Sequence, residues 1–241
     1  MKKNVSAIVM LLFLVALTGK AYSQTSDSKT SDEALQILKD GNKRYVDNNR
    51  NYPNLDKSRM EDTNNNGQHP FATIIGCSDS RVPIEHLFDV GIGDVFVIRV
   101  AGNVVDIDEA GSIEYGVEHL HTPLFVVLGH SSCGAVTAVA KGAEVHGNIP
   151  KLVDNIAPAV EEAKKKHGDE FSEELLETAI ENNVWQSIED LLTISDISRE
   201  LVKSGKLKIV GAVYHLDDGH VEWLGEHPNL KELLNKGKEL H

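Results

Sequence analysis

The chain has 241 residues, of which 41% are apolar and 25% charged, with 19 glycines, 7 prolines and 2 cysteines. These values are typical of a globular protein and exclude a disordered chain, a collagen-like repeat and a small disulfide-stapled scaffold. The formal net charge of −13 argues against nucleic acid as a partner, since proteins that bind a phosphate backbone usually present a basic face.

The first 23 residues are predicted to be a signal peptide. A basic start precedes an unbroken apolar run over residues 9–17, and small residues stand at Ala21 and Ser23, just before Gln24. This is the layout of a secretory signal, and its apolar core is too short for a comfortable membrane span. An uncleaved membrane anchor is the alternative. Cleavage after Ser23 predicts an acidic, soluble protein that is periplasmic or secreted and has no stable membrane span.

Residues 24–241 are predicted to form a single α/β domain, because no internal repeat or second compositional regime divides them. Thr30 and Glu33 form a predicted capping box that starts a helix. The Asn-rich residues 47–69 that follow are expected to be a long loop or arm, which covers part of the protein or reaches a neighbour.

Short apolar runs and helical patterns alternate along the rest of the chain. This alternation favours a mostly parallel sheet with right-handed crossovers, and the last apolar run turns back as a hairpin. The predicted strands are residues 71–76, 95–100 and 124–129 and the hairpin arms 207–216 and 220–224; the predicted helices are residues 108–121, 135–140, 149–166 and 172–203.

Cys77, His130 and Cys133 follow the first and third predicted strands. The carboxyl ends of parallel strands gather ligands at the crevice where the strand order reverses. Two thiolates and one imidazole suit zinc, with a fourth position left for water. A disulfide between the two cysteines is the other interpretation, and it is the default for an exported protein. The residues by themselves favour zinc and a disulfide equally.

Asp79 and Arg81 lie two residues apart, hence on the same side of an extended segment. The simpler interpretation is a surface ion pair that contributes little to stability. The functional one is that Arg81 keeps Asp79 ionised and aimed at a water on the metal, since a guanidinium orients a carboxylate through two hydrogen bonds. Released from Arg81, Asp79 could instead fill the fourth metal position, which would give an open and a closed state.

These residues carry a family resemblance. Cys-x-Asp-x-Arg at residues 77–81, His-x-x-Cys at residues 130–133 and Arg-Val-Ala-Gly-Asn at residues 99–103 resemble the β-class carbonic anhydrases, and the similarity runs over residues 34–224. The resemblance implies an α/β fold with four parallel strands, a C-terminal antiparallel strand and flanking helices. It also implies an N-terminal helical arm, at about residues 30–69, that embraces a partner in a homodimer or a higher even oligomer.

The resemblance further implies one Zn²⁺ per subunit, held by Cys77, His130 and Cys133, and reversible hydration of carbon dioxide to bicarbonate and a proton. Asp79 and Arg81 are the implied catalytic pair. Two alternatives stay open: hydrolysis of carbonyl sulfide or carbon disulfide on the same scaffold, and a non-catalytic zinc site that only braces the fold.

Three further positions follow from the resemblance. Gln68 stands where part of the family has a glutamine that helps to hold substrate, in its own or the partner's site; a solvated loop residue is the alternative. Gly134 could offer its backbone N–H to bicarbonate at a helix N-terminus, or it merely permits a tight turn. Ile74 replaces the tryptophan of the bicarbonate-inhibited branch, which predicts a permanently open site.

Overall fold

The computed structural model describes residues 29–236, which are organised around one five-stranded sheet. The predicted signal peptide lies outside the described residues. The strands are β1 (Ala72–Cys77), β2 (Val95–Val100), β3 (Leu124–His130), β4 (Lys208–Tyr214) and β5 (Val221–Gly225), in the spatial order β2-β1-β3-β4-β5. Each strand that the sequence predicts is present, with ends shifted by at most a few residues.

The sheet has the predicted mixed character. β1 pairs in parallel with β2 and β3, and β3 pairs in parallel with β4. β5 returns antiparallel to β4 as the predicted hairpin. Four parallel strands and one antiparallel strand, flanked by helices, confirm the expected fold class. The chain adds β2 on one side of β1 and then β3 on the other side, so the order of strands reverses between β1 and β3. This position is the topological switch point of the sheet.

The N-terminal arm is more helical than the sequence predicts. Helix α1 (Ser31–Val46) starts at the predicted capping box, in which Thr30 and Glu33 bond each other's backbone N–H groups. The expected long loop contains a second helix, α2 (Lys57–Asn66), whose N-terminus is capped by the side chain of Asp56. All residues of α2 are at least partly exposed, so no apolar periodicity marks this helix in the sequence.

Two predicted helices are each divided in the structure. The helix expected at residues 149–166 is α6 (Ile149–Val153) and α7 (Ala157–His167), because Pro158 has no N–H and is accommodated in the first turn of α7. The segment 172–203 is α8 (Glu173–Ile194) and α9 (Asp196–Lys203). Ser195 separates them with an extended backbone, and its hydroxyl caps α9.

The two remaining predicted helices lie close to their expected positions. A helix expected at residues 108–121 is α4 (Ile107–Glu114), capped by Asp106 and continued by one π-helical turn. The helix expected at residues 135–140 is α5 (Gly134–Ala140). The sequence did not predict α3 (Ile84–Leu87), the 3₁₀ turn at Ala101–Asn103 or α10 (Leu230–Lys236).

The sheet divides the interior into two apolar layers, as expected when helices cover both faces of parallel strands. One layer contains Cys77, Cys133 and the buried face of α8, and the other contains α1 and α3. All residues of β1 and β3 are buried. Within residues 29–236, none of the helices combines the length and apolar character needed to cross a membrane.

Candidate metal centre

Three sequence-predicted ligands meet at the switch point of the sheet. Cys77 is the last residue of β1 and His130 the last residue of its neighbour β3. Cys133 immediately precedes α5, so a short loop after β3 returns it to the same edge. The parallel pairing of β1 with β3 is therefore what brings residues 53 positions apart in sequence together.

The three donor groups form a compact, buried cluster. Their ligating atoms all lie within 4.8 Å of one another, and Cys77, His130 and Cys133 are 4%, 0% and 1% exposed. Both cysteines are free thiols, so the structure does not form the disulfide that the sequence left open.

His130 is oriented as a metal ligand. Its Nδ1 lies 2.9 Å from the carbonyl oxygen of Ser131, which fixes the proton on Nδ1 and leaves the lone pair on Nε2. Nε2 is buried and has no hydrogen-bond partner within residues 29–236. A buried acceptor that faces two thiols without a partner is explained by a cation. The donor set and this unpartnered nitrogen therefore fit zinc.

The pKa values of the two thiols are shifted in opposite directions. A hydrogen bond from the Cys133 thiol holds the pKa of Cys77 well below its usual range, against the effect of burial, with further support from the backbone N–H groups of Gly102 and Asp79. The same hydrogen bond, together with burial, raises the pKa of Cys133. The two sulfur atoms are thus hydrogen-bonded to each other at the site.

Asp79 and Arg81 form the predicted pair beside this cluster. Arg81 Nε lies 2.9 Å from Asp79 Oδ1 and a terminal guanidinium nitrogen lies 2.7 Å from Oδ2. These bonds hold the pKa of Asp79 well below its usual range, against the effect of burial. Asp79 Oδ2 is 3.9 Å from His130 Nε2. Of the two states considered, the structure shows the one in which Arg81 holds the carboxylate.

Two residues that received no role from sequence reasoning support the loop after β1. Arg99 donates to the carbonyl oxygens of Cys77 and Asp79, at 3.1 and 2.7 Å, and the N–H of Gly102 donates to Cys77 Sγ at 3.3 Å. Both follow from the pairing of β2 with β1. Arg99, the one charged residue in the otherwise apolar β2, was the available signal.

The structure does not bring Gln68 to the metal cluster of its own chain. Gln68 is exposed and lies before the start of β1. Cys77 lies at the other end of that strand, whose length is about 17 Å at a rise of about 3.3 Å per residue. Gly134 does lie beside the ligands, as the exposed first residue of α5. A Cβ atom there would meet no heavy atom within 4 Å, so open space adjoins its backbone.

The protein has an open α/β sheet with a buried thiol–imidazole cluster at its switch point. A carboxylate held by an arginine lies next to this cluster. These features are those of an enzyme with a candidate metal centre. Residues 72–221 match the family model described as carbonic anhydrase. The chain is 38% identical to carbonic anhydrase 2 of Mycobacterium tuberculosis over 206 residues, which cover 80% of this chain and 95% of the relative. The chain therefore belongs to the carbonic anhydrase family, in its β class.

Solved structures agree with this assignment. A β-carbonic anhydrase of Aspergillus fumigatus superimposes with a TM-score of 0.66 at 28% identity, covering 74% of this chain and 88% of that one. One of two tetrameric β-carbonic anhydrases of Sordaria macrospora superimposes with a TM-score of 0.64 at 26% identity, covering 70% and 87%. The predicted class and the predicted enzyme are thereby confirmed.

Proposed function

We propose that the protein catalyses the zinc-dependent, reversible hydration of carbon dioxide to bicarbonate and a proton. The observation that carries the proposal is the unpartnered Nε2 of His130, buried between two free thiols and next to an ionised Asp79. Neither a sulfur-substituted substrate nor a purely structural zinc site has an observation in its favour, and the relatives carry the name carbonic anhydrase.

Cys77, His130 and Cys133 would hold one Zn²⁺ per subunit, with a fourth position left open. When bound there, zinc would supply Lewis-acid activation of water and so a nucleophile near neutral pH. The neutral imidazole of His130 is fixed for this role by its Nδ1 hydrogen bond. The buried position of all three ligands excludes bulk water from the ligand side of the site.

Asp79 is the hydrogen-bond acceptor beside the cluster. Its ionised carboxylate accepts a hydrogen bond from the attacking water and so directs a lone pair toward the carbon of the substrate. Arg81 fixes the direction of that carboxylate with two parallel hydrogen bonds. We further propose that the backbone N–H of Gly134 binds a bicarbonate oxygen and that Gln68 reaches the site of a partner subunit, since it lies far from its own.

Stopped-flow CO₂ hydration on metal-quantified protein tests the proposal. The parent protein is expected to contain one zinc per chain and to hydrate CO₂, and Asp79→Ala is expected to lose about a hundredfold or more in kcat/KM at neutral pH. Asp169→Ala, an exposed acid in the loop before α8, is the matched control and should retain full activity. Metal-loaded parent protein without activity would contradict the proposed reaction, and full activity in Asp79→Ala would contradict the role given to Asp79.

The assembly and the location are also proposals. We infer a homodimer or a higher even oligomer built through the N-terminal arm, in line with the tetrameric enzymes of Sordaria macrospora. We infer export from the signal-like first 23 residues. Expression of the full chain in a bacterium, followed by cell fractionation and N-terminal sequencing, should recover periplasmic protein that begins near Gln24. Full-length protein in the cytoplasm would contradict export.

A further inference from the structure

Helix α8 buries two polar side chains on a face that is otherwise apolar. Asn183 and Ser187 are each 1% exposed and stand one turn apart, among the buried residues Ile180, Val184 and Ile188. Burial of an amide and a hydroxyl costs free energy unless both find hydrogen-bond partners. Their partners therefore indicate why the helix carries them.

Both side chains bind the same three-residue turn. Asn183 Nδ2 donates to the carbonyl oxygen of Gly102 at 2.7 Å. Ser187 Oγ lies 3.0 Å from the carbonyl oxygen of Asn103 and 2.8 Å from that of Asn183, so its single proton is shared. Asn183 thus provides the stronger bond of the two to the turn at Ala101–Asn103.

This turn needs external support. Gly102 and Asn103 have φ angles of 74° and 48°, in the left-handed region that glycine adopts freely and asparagine tolerates better than most other residues. Because both residues also populate other conformations, contacts with the surroundings must fix the turn in this one. The hydrogen bonds from α8 supply that constraint.

The turn delivers a hydrogen bond to a metal ligand. The N–H of Gly102 donates to Cys77 Sγ at 3.3 Å, while the carbonyl oxygen of the same residue accepts from Asn183. We propose that Asn183, assisted by Ser187, is a positioning residue that fixes the Gly102 N–H on the Cys77 sulfur and so tunes the metal affinity and electron donation of that thiolate. This inference rests on the proposed metal site.

The physical basis is outer-shell control of a ligand. A hydrogen bond to a thiolate stabilises its lone pairs and fixes its direction, and loss of such outer-shell partners costs about 10- to 100-fold in metal affinity. Asn182, the residue before Asn183, provides the contrast. Its side chain donates to the carbonyl oxygen of Ala159 in α7, so it joins two helices without any link to the metal cluster.

The test compares Co²⁺ binding by purified, metal-free parent protein with that by Asn183→Leu, Ser187→Ala and Asn182→Ala. Chelator competition measures affinity, and the sulfur-to-cobalt charge-transfer band reports on the thiolates. Asn183→Leu should bind Co²⁺ about 10- to 100-fold more weakly and absorb at longer wavelength, because the sulfur lone pairs are less stabilised. Ser187→Ala should show smaller changes in the same directions, and Asn182→Ala should match the parent in both readouts.

Parent-like affinity and band position in Asn183→Leu would overturn the inference, as would equal effects in Asn182→Ala. If Asn183→Leu fails to fold, the decision falls to Ser187→Ala, whose parent-like spectrum would be equally contradictory. Parent protein that binds Co²⁺ with thiolate charge transfer but does not hydrate CO₂ when loaded with zinc would refute the proposed reaction and leave this inference standing.

Discussion

The carboxylate of Asp79 receives two hydrogen bonds from a side chain only two residues away. The backbone here is a turn, in which the N–H of Val82 donates to the carbonyl oxygen of Asp79 at 3.0 Å, and not the extended segment expected from the sequence. The fork of the Arg81 guanidinium still matches both oxygens of Asp79, at 2.9 and 2.7 Å. Because this pairing is local, the sequence was sufficient to predict it. The planar fork, and not only its positive charge, sets the direction of the carboxylate.

Arg81→Lys tests this directional role. Lysine keeps the charge but provides a single point donor, so Asp79 stays ionised while its orientation is lost. We expect kcat/KM for CO₂ hydration to fall by about tenfold, or about 1.4 kcal/mol in transition-state free energy, with zinc content unchanged by metal analysis. An unchanged kcat/KM would show that charge alone is enough.

His130 and the two cysteines illustrate a residue-scale question that no local pattern decides. Each ligand type has an ordinary structural role, and a disulfide suits two cysteines in an exported protein. The choice depends on the tautomer of His130 and on the free state of both thiols. The tautomer is set locally by Ser131, but the approach of Cys77 to the other two ligands depends on β1 and β3 being neighbours, which is a property of the sheet.

At the scale of elements, helix α1 is fixed by a close backbone approach. Gly41 lies in α1, where an added Cβ would lie far inside van der Waals contact with the carbonyl oxygen of Phe88, at the end of α3. Gly111 lies in α4, and a Cβ there would meet no heavy atom within 4 Å. The same residue type therefore has a packing role in one helix and none in the other.

The two helical glycines make a matched pair of substitutions. Gly41→Ala should destabilise the protein by about 2 kcal/mol or more, because the backbone of Phe88 cannot move aside cheaply. Gly111→Ala should stabilise it by about 0.5 to 1 kcal/mol, since alanine loses less conformational entropy in a helix. Urea unfolding monitored by circular dichroism measures both. Equal effects at the two positions would contradict the packing role of Gly41.

The connection from β5 to α10 depends on a buried neutral histidine. His227 Nδ1 accepts from the N–H of Asn229 at 3.0 Å, and Nε2 lies 3.1 Å from Glu189 Oε1 on α8. The ring also packs edge-on against Trp185. Burial lowers the pKa of His227, although Glu189 acts in the opposite direction. A second proton would have to sit on Nδ1 and would face the N–H of Asn229.

This arrangement predicts a pH-dependent contribution to stability. Because the pKa of His227 is lower in the folded chain, its contribution is complete above the unfolded value of about 6.5 and is lost as pH falls below it. His227→Asn should cost about 1 to 2 kcal/mol at pH 8 and less at pH 5.5. Urea unfolding of both proteins at the two pH values checks this, and a difference that grows on acidification would contradict it.

At the scale of the whole molecule, the N-terminal arm presents apolar side chains to solvent. Tyr52, Leu55 and Met60 are 53%, 46% and 53% exposed, and α2 packs little of its surface against its own chain. Large apolar side chains gathered on one segment are typical of a surface that another subunit covers. This exposure supports the role in assembly that the resemblance implies for the arm.

Charge in the arm should therefore disrupt assembly. The double variant Leu55→Asp/Met60→Asp is expected to have a lower mass than the parent in light scattering coupled to size-exclusion chromatography, because a buried charge strongly opposes association. Ile194→Asp, an equally exposed site at the end of α8, is the matched control and should keep the parent mass. A parent mass in the double variant would exclude this part of the arm from the interface.

The sequence by itself determined what depends on neighbours along the chain: the capping box at Thr30, the alternation of strands and helices and the pairing of Asp79 with Arg81. It also named Cys77, His130 and Cys133 as candidate ligands but did not decide between a metal site and a disulfide. Only the tertiary structure decided that α2 is a helix, that Ser195 divides the long helical segment and that α8 supports the turn beside Cys77. The physical reason is distance in sequence. Asn183 and Gly102 are 81 residues apart, and their hydrogen bond exists only once a helix packs on one face of the sheet.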